Sequence, residues 1–237
     1  MFRTAMIIIF TVCIFCSSVF AHDIWVEKKD GKLVVLYGHA DKNKFESIEP
    51  AKIKEINGFD KNGKKMSVKI VQDKDILSIV PAKDLAAVTL FFDGGFFVKT
   101  TDGYKHVSKR EVKEYIESSH SVKYDKTLFG WNKKFSKPLG MRLEIVPAKN
   151  PFDIKKGQAF PVKVLFEGKP LEGAKIKVKA NGKESPTELV TNKEGTADIV
   201  IEKAGIQKIA TRHKIPLKDN PDADDLSIGT ALTFETK

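Results

Sequence analysis

From Phe160 to Ala180 the chain runs FPVKVLFEGKPLEGAKIKVKA: two short apolar stretches, spaced by lysines, around the turn Gly168-Lys169-Pro170. Apolar residues alternating with polar ones give the period of a half-buried strand, and Gly and Pro punctuate the turn between. The same grammar extends in both directions. Strands are expected at Met141–Val146, Phe160–Phe166, Ala174–Ala180, Thr196–Glu202, Gly205–His213 and Thr230–Glu235, with turns at Pro147, Asn181-Gly182 and Lys193-Glu194-Gly195. Strands so closely spaced, with no helix between them, describe a small antiparallel sandwich of immunoglobulin type. Its boundary with the preceding chain falls at Pro138–Gly140.

Upstream, Leu33–Tyr37 is a compact strand candidate, and Met66, Val68 and Ile70 alternate with Ser67 and Lys69. Asn57-Gly58 and Asn62-Gly63 are expected as tight turns just before that strand. Ile76–Val80, Ala87–Phe92 and Phe96–Lys99 complete the strand set of this half. One short helix is expected after Ser108, which forms a capping box with Glu111, with Val112, Tyr115 and Ile116 as its apolar stripe. The fold class expected is therefore all-β: a β-rich domain over 22–138, with one short helix, and an immunoglobulin-like β-sandwich over 139–237.

Residues 1–21 read as a signal peptide. Arg3 supplies the positive start, residues 5–16 (AMIIIFTVCIFC) form the apolar centre, and Val19 and Ala21 stand at the −3 and −1 positions of a cleavage site. The apolar run is shorter than the about 20 residues a membrane span needs. Cleavage would leave a periplasmic protein beginning at His22, with no stable membrane insertion. Both cysteines, Cys13 and Cys16, leave with the signal, which excludes disulfides, thiolate nucleophiles and thiolate metal sites. The formal charge of +10 comes from lysines spread along the chain, and the arginines are only Arg3, Arg110, Arg142 and Arg212. Nucleic-acid readers concentrate Arg and Lys on one face, so this balance argues against nucleic acid as a partner.

Catalytic signatures are absent: the chain holds no H-E-x-x-H and no G-x-S-x-G. Gly58–Lys64 matches most of a phosphate-binding loop, but Lys65 stands where Ser or Thr should follow and an alternating strand succeeds it, so it reads as a hairpin turn. Asp219, Asp222, Asp224 and Asp225 lack the glycine and terminal glutamate offsets of a calcium loop and read as a solvated connection. No enzyme is expected.

The histidines are His22, His39, His106, His120 and His213. If the chain begins at His22, that residue carries a free α-amine with a reference pKa near ~8, readily displaced by a metal. Amine and Nδ1 of one residue chelate together, and further imidazoles complete a nitrogen-rich site suited to Ni²⁺, Co²⁺, Cu²⁺ or Zn²⁺. His39, at the end of the first strong strand in Tyr37-Gly38-His39, is the first partner, and His213 the next. His106 and His120 flank the expected helix and stand as peripheral.

Several stretches together carry a resemblance: Ala21-His22-Asp23-Ile24-Trp25, Tyr37-Gly38-His39, Tyr124-Asp125-Lys126, residues 138–147 (PLGMRLEIVP), residues 164–174 (VLFEGKPLEGA) and residues 191–195 (TNKEG). They resemble an exported bacterial family classed as a domain of unknown function, formerly described as a nickel-transport-complex subunit and often encoded beside nickel or cobalt uptake systems. The resemblance implies a periplasmic, non-enzymatic protein that binds a transition metal, nickel or cobalt before copper or zinc, and serves a membrane metal transporter. Two other readings stay open at this point. One is a periplasmic copper-binding protein, since a histidine-first site also suits copper. The other is a metal-free carrier or adhesion module working through its immunoglobulin-like domain.

Overall fold

A computed structural model describes residues 22–39, 44–81, 83–185 and 187–237. The expected signal peptide, residues 1–21, lies outside the described residues. The first half contributes β1 (Asp23–Lys29), β2 (Lys32–His39), β3 (Lys44–Phe45), β4 (Ile53–Asp60), β5 (Lys65–Met66), β6 (Lys69–Asp73), β7 (Ile76–Val80), β8 (Leu85–Thr100), β9 (Gly103–Lys105) and β10 (Glu117–Leu128). The second contributes β11 (Leu143–Pro147), β12 (Ala159–Phe166), β13 (Lys169–Pro170), β14 (Lys175–Ala180), β15 (Lys183–Glu184), β16 (Leu189–Val190), β17 (Thr196–Val200), β18 (Gly205–Pro216) and β19 (Asp225–Thr236). The protein is all-β, in sheets stacked face to face.

Three sheets form. A 10-stranded sheet follows the order β15-β14-β18-β19-β10-β8-β4-β5, with β16 on β14 and β9 on β8. A five-stranded sheet, β1-β2-β7-β6 with β3 on β2, covers one end of it, and a four-stranded sheet of β11, β12, β13 and β17 covers the other. The large sheet runs through the Pro138–Gly140 junction because β10 pairs in parallel with β19, from Ser119 against Asp225 to Thr127 against Thr233. Two cores result. Ile24, Val26, Val35, Leu77, Leu90 and Phe92 fill one. Leu143, Phe160, Val164, Ile176, Ile209 and Phe234 anchor the other, which Phe59, Leu128 and Phe135 from the first half also enter.

Local differences from the sequence expectation have physical causes. The expected helix is a single 3-10 turn, Lys109–Glu111. Its capping box is present, but Val112 is already extended and the chain enters β10 at Glu117. A capping box starts a turn without supplying the buried stripe that propagates one, and here Tyr115 and Ile116 are exposed. Asn57-Gly58 lies inside β4 instead of turning; a Cβ on Gly58 would stand 2.6 Å from Leu85 and Val68. The turn is at Asn62-Gly63, with Gly63 at φ +68. The two strands expected between Ala87 and Lys99 are one, β8, bent where the register shifts opposite Ser121 and Val122.

Candidate functional site

The site begins with a hairpin. Asp30-Gly31, at φ +49 and +75, makes the two-residue turn between β1 and β2, and Lys29 pairs with Lys32. Such a Asp-Gly turn fixes register. Counting back along both strands, Asp23 faces Gly38, and the next pair outward is His22 and His39. Their ring centroids stand 4.5 Å apart, and the His22 ring also stacks on Tyr37 at 5.1 Å. The structure therefore brings together two of the three histidines singled out from the sequence.

Gly38 completes the arrangement. At φ +139 its missing side chain admits β3: a Cβ there would stand 2.3 Å from the Lys44 carbonyl oxygen. The returning chain then binds Tyr37 O through the Glu46 amide at 2.9 Å, and the Glu46 carboxylate meets His22 Nε2 at 2.7 Å. Burial lowers the pKa of His22, with Glu46 opposing and His39 adding to the fall. The imidazole is thus held neutral. With Nε2–H donating to Glu46, the lone pair falls on Nδ1, and Nδ1 is buried with no hydrogen-bond partner among the described residues. A histidine oriented by a carboxylate on one nitrogen and bare on the other has the form of a metal ligand with its supporting shell. Tyr37 beneath it is itself buried, and burial, then Glu46, pushes its phenol up to about 12.

The imidazoles open onto a cleft of about 230 Å³. Alternate residues of β10 (Ser119, Ser121, Lys123), of β18 (Arg212, Lys214) and Ser227 of β19 line it from one face of the large sheet, as the strand period dictates. Phe97, Tyr104 and His106 line the rest of it, with Glu117 of β10 at the rim. His106, set aside in the sequence reading, faces this cleft with its ring 4.2 Å from Phe97. The β9 hairpin that carries the chain back to it offers little apolar pattern to read.

His213 does not join the site. It lies between Arg212 and Lys214, so period-2 alternation turns its ring to the opposite face, against Phe166 at 4.7 Å. The sequence expectation that it is a third ligand is corrected on that ground. His120 is held elsewhere by Asp93 at 2.7 Å. Three of the aspartates at 219–225 are committed to protein partners: Asp222 accepts from Ser108 and Arg110, Asp224 from Lys109 and Ser118, and Asp225 from Ser119 and Lys214. Among the described residues, no three His, Cys, Asp or Glu side chains form a metal cage on their own, and no helix is long and apolar enough to cross a membrane.

The profile of a family described as Domain of unknown function (DUF4198) matches residues 19–215. No curated protein and no solved structure matches the chain.

Proposed function

Since the chain belongs to the DUF4198 family, whose description assigns no activity, we propose its role from the site itself: it is an exported, periplasmic protein that binds a transition-metal ion through His22 and His39. The observation that carries this is the buried, unpartnered Nδ1 of His22, beside the His39 ring and backed by Glu46 on the other nitrogen. Two imidazoles alone are too few for a tight site. Signal removal after Ala21 adds the third donor, the His22 amine, which chelates with Nδ1 of the same residue. Three nitrogens suit Ni²⁺ or Co²⁺ as cargo for a membrane transporter, and they suit Cu²⁺ and Zn²⁺ as well.

The test is calorimetry on protein beginning at His22, titrated with Ni²⁺, Co²⁺, Cu²⁺ and Zn²⁺, which also ranks the metals. The expected result is one ion per chain. Affinity should fall at least about tenfold when one residue is added before His22 or with His39→Ala, and about 10–100-fold with Glu46→Gln. No saturable binding, or binding indifferent to all three changes, would overturn the reading and leave a metal-free carrier.

A further inference from the structure

The cleft beside the imidazole pair carries a cation that the metal site does not need. Lys123 points into it from β10 and is only 8% exposed. Among the described residues no hydrogen bond or ion pair reaches its ammonium, and the carboxylate that acts on it through space, Asp23, is already engaged by Lys179 and Lys208. Burial, with Arg212 adding to it, brings the lysine down to about 8. Its buried stem thus presents to the cleft an ammonium that no acceptor among the described residues meets. Arg212 and Lys214 face the same space, and the hydroxyls of Ser119, Ser121 and Ser227 stand around it. Glu117 is the carboxylate on the lining, at the rim, where it accepts from Tyr104 and Lys214 at 3.3 and 3.4 Å.

The cationic part of this lining attracts an anion. The volume holds roughly eight water-sized groups at ~30 Å³ each, the size of a small organic acid. We infer that the cleft binds a small polycarboxylate chelator, with a carboxylate on Lys123, Arg212 and Lys214 and its other donors turned to the His22–His39 pair, so that the ion enters as a carboxylate chelate. The chelate rests on the metal reading above, whereas the anion subsite stands on the cleft alone.

Equilibrium dialysis of the His22-start protein with labelled citrate, with Ni²⁺ and with both separates the two. Citrate should be retained without metal and at least about fivefold more tightly with Ni²⁺, a coupling of ordinary size. Lys123→Met should weaken citrate at least about tenfold, the worth of a hydrogen bond to a charged group, while sparing retention of Ni²⁺ alone. Lys214→Gln, at the exposed rim where Lys214 meets Glu117 and Asp225, should also weaken citrate, with circular dichroism checking that the variant folds. Nickel retained with no citrate in any arm would overturn the inference and leave the metal site standing. Citrate retained to the same extent with and without Ni²⁺ would overturn the chelate. Retention of citrate with no nickel in any arm would instead overturn the metal reading.

Discussion

Lys126 and Glu144 form a fully buried ion pair that joins the two halves of the chain, and breaking it should be among the costliest changes available. Lys126 lies on β10 at 0% exposure and Glu144 on β11 at 1%. The lysine also donates to the Ile145 carbonyl at 3.1 Å. The glutamate accepts the backbone N–H groups of Leu139, Gly140 and Met141 at 2.7, 3.1 and 3.1 Å, which fixes the turn between the halves. Burial pulls the lysine's pKa down and Glu144 opposes it. Removing one partner of a buried pair costs about 3–5 kcal/mol, and the two partners should not be equal. Lys126→Met leaves a carboxylate still held by three N–H donors, so about 3 kcal/mol is expected. Glu144→Gln leaves the ammonium unneutralised and sets an amide NH₂ against backbone N–H groups, so about 5 kcal/mol is expected. At about 2–4 °C per kcal/mol for a chain of this size, the melting temperature should drop roughly 6–12 °C and 10–20 °C. The double variant should lose less than the two singles together by about 2 kcal/mol. Urea unfolding of the four proteins, followed by circular dichroism, reads all three quantities. Singles within about 1 kcal/mol of the parent, Lys126→Met costlier than Glu144→Gln, or strict additivity would each refute the argument.

Gly38→Ala and Gly31→Ala should separate strain from site geometry. Both glycines have positive φ, but a Cβ on Gly31 meets nothing within 4 Å, whereas one on Gly38 meets Lys44 O at 2.3 Å. Gly31→Ala should cost about 1 kcal/mol and leave metal affinity unchanged, while Gly38→Ala should also pull Glu46 off His22 and weaken the ion about 10–100-fold; equal affinities in calorimetry would refute this. Asp125 should make stability fall with pH. It is buried between the hydroxyls of Thr127 and Thr233, which donate to it at 2.5 and 2.9 Å. Burial raises it from the ordinary 3.8 to about 7. The folded protein therefore holds a proton that the unfolded chain has released. That contribution is full below the unfolded value and is lost as pH rises through about 7, at up to about 1.4 kcal/mol per pH unit. Asp125→Asn should gain up to about 3 kcal/mol on the parent between pH 5 and pH 8; parallel melting-temperature curves for the two proteins would sink the assignment.

The alternating strands were legible because one face of each is buried, and Ile76–Val80 and the run at 159–166 stand where the pattern puts them. β10 was not legible, although it occupies the middle of the large sheet. Its buried positions include Ser118, Lys123, Asp125, Lys126 and Thr127, so no apolar period announces it. Ser118, Asp125, Lys126 and Thr127 are satisfied by contacts more than 100 positions away, as between Asp125 and Thr233, or across the junction, as between Lys126 and Glu144. Period alone also misleads over His213, because a residue's strand is easier to read than the face it takes. The pairing of His22 with His39 was within reach, since Asp30-Gly31 sets the register that joins them. Glu46 was not, because its approach depends on Gly38 admitting a second hairpin.

The stretches that carry the family resemblance divide by the work they do. Tyr124-Asp125-Lys126 and the 138–147 run hold the clamp between halves and touch neither imidazole. Residues 22–25 serve the site. Asp23 is pinned by Lys179 of β14 at 3.0 Å and Lys208 of β18 at 3.5 Å, and Lys208 lies over the Trp25 ring at 3.6 Å. Burial opposes ionisation of Asp23, but those two lysines outweigh it and keep the carboxylate charged. Val26 then donates its amide to Thr127 at 3.3 Å, locking β1 to β10. A chain start ordinarily frays, and a fraying amine would lose its ordering entropy each time it bound an ion. With Asp23, Trp25 and Val26 fixed to strands on both sides, a chain beginning at His22 would present its amine already ordered. The folding energy of distant strands would then contribute to affinity at the first residue.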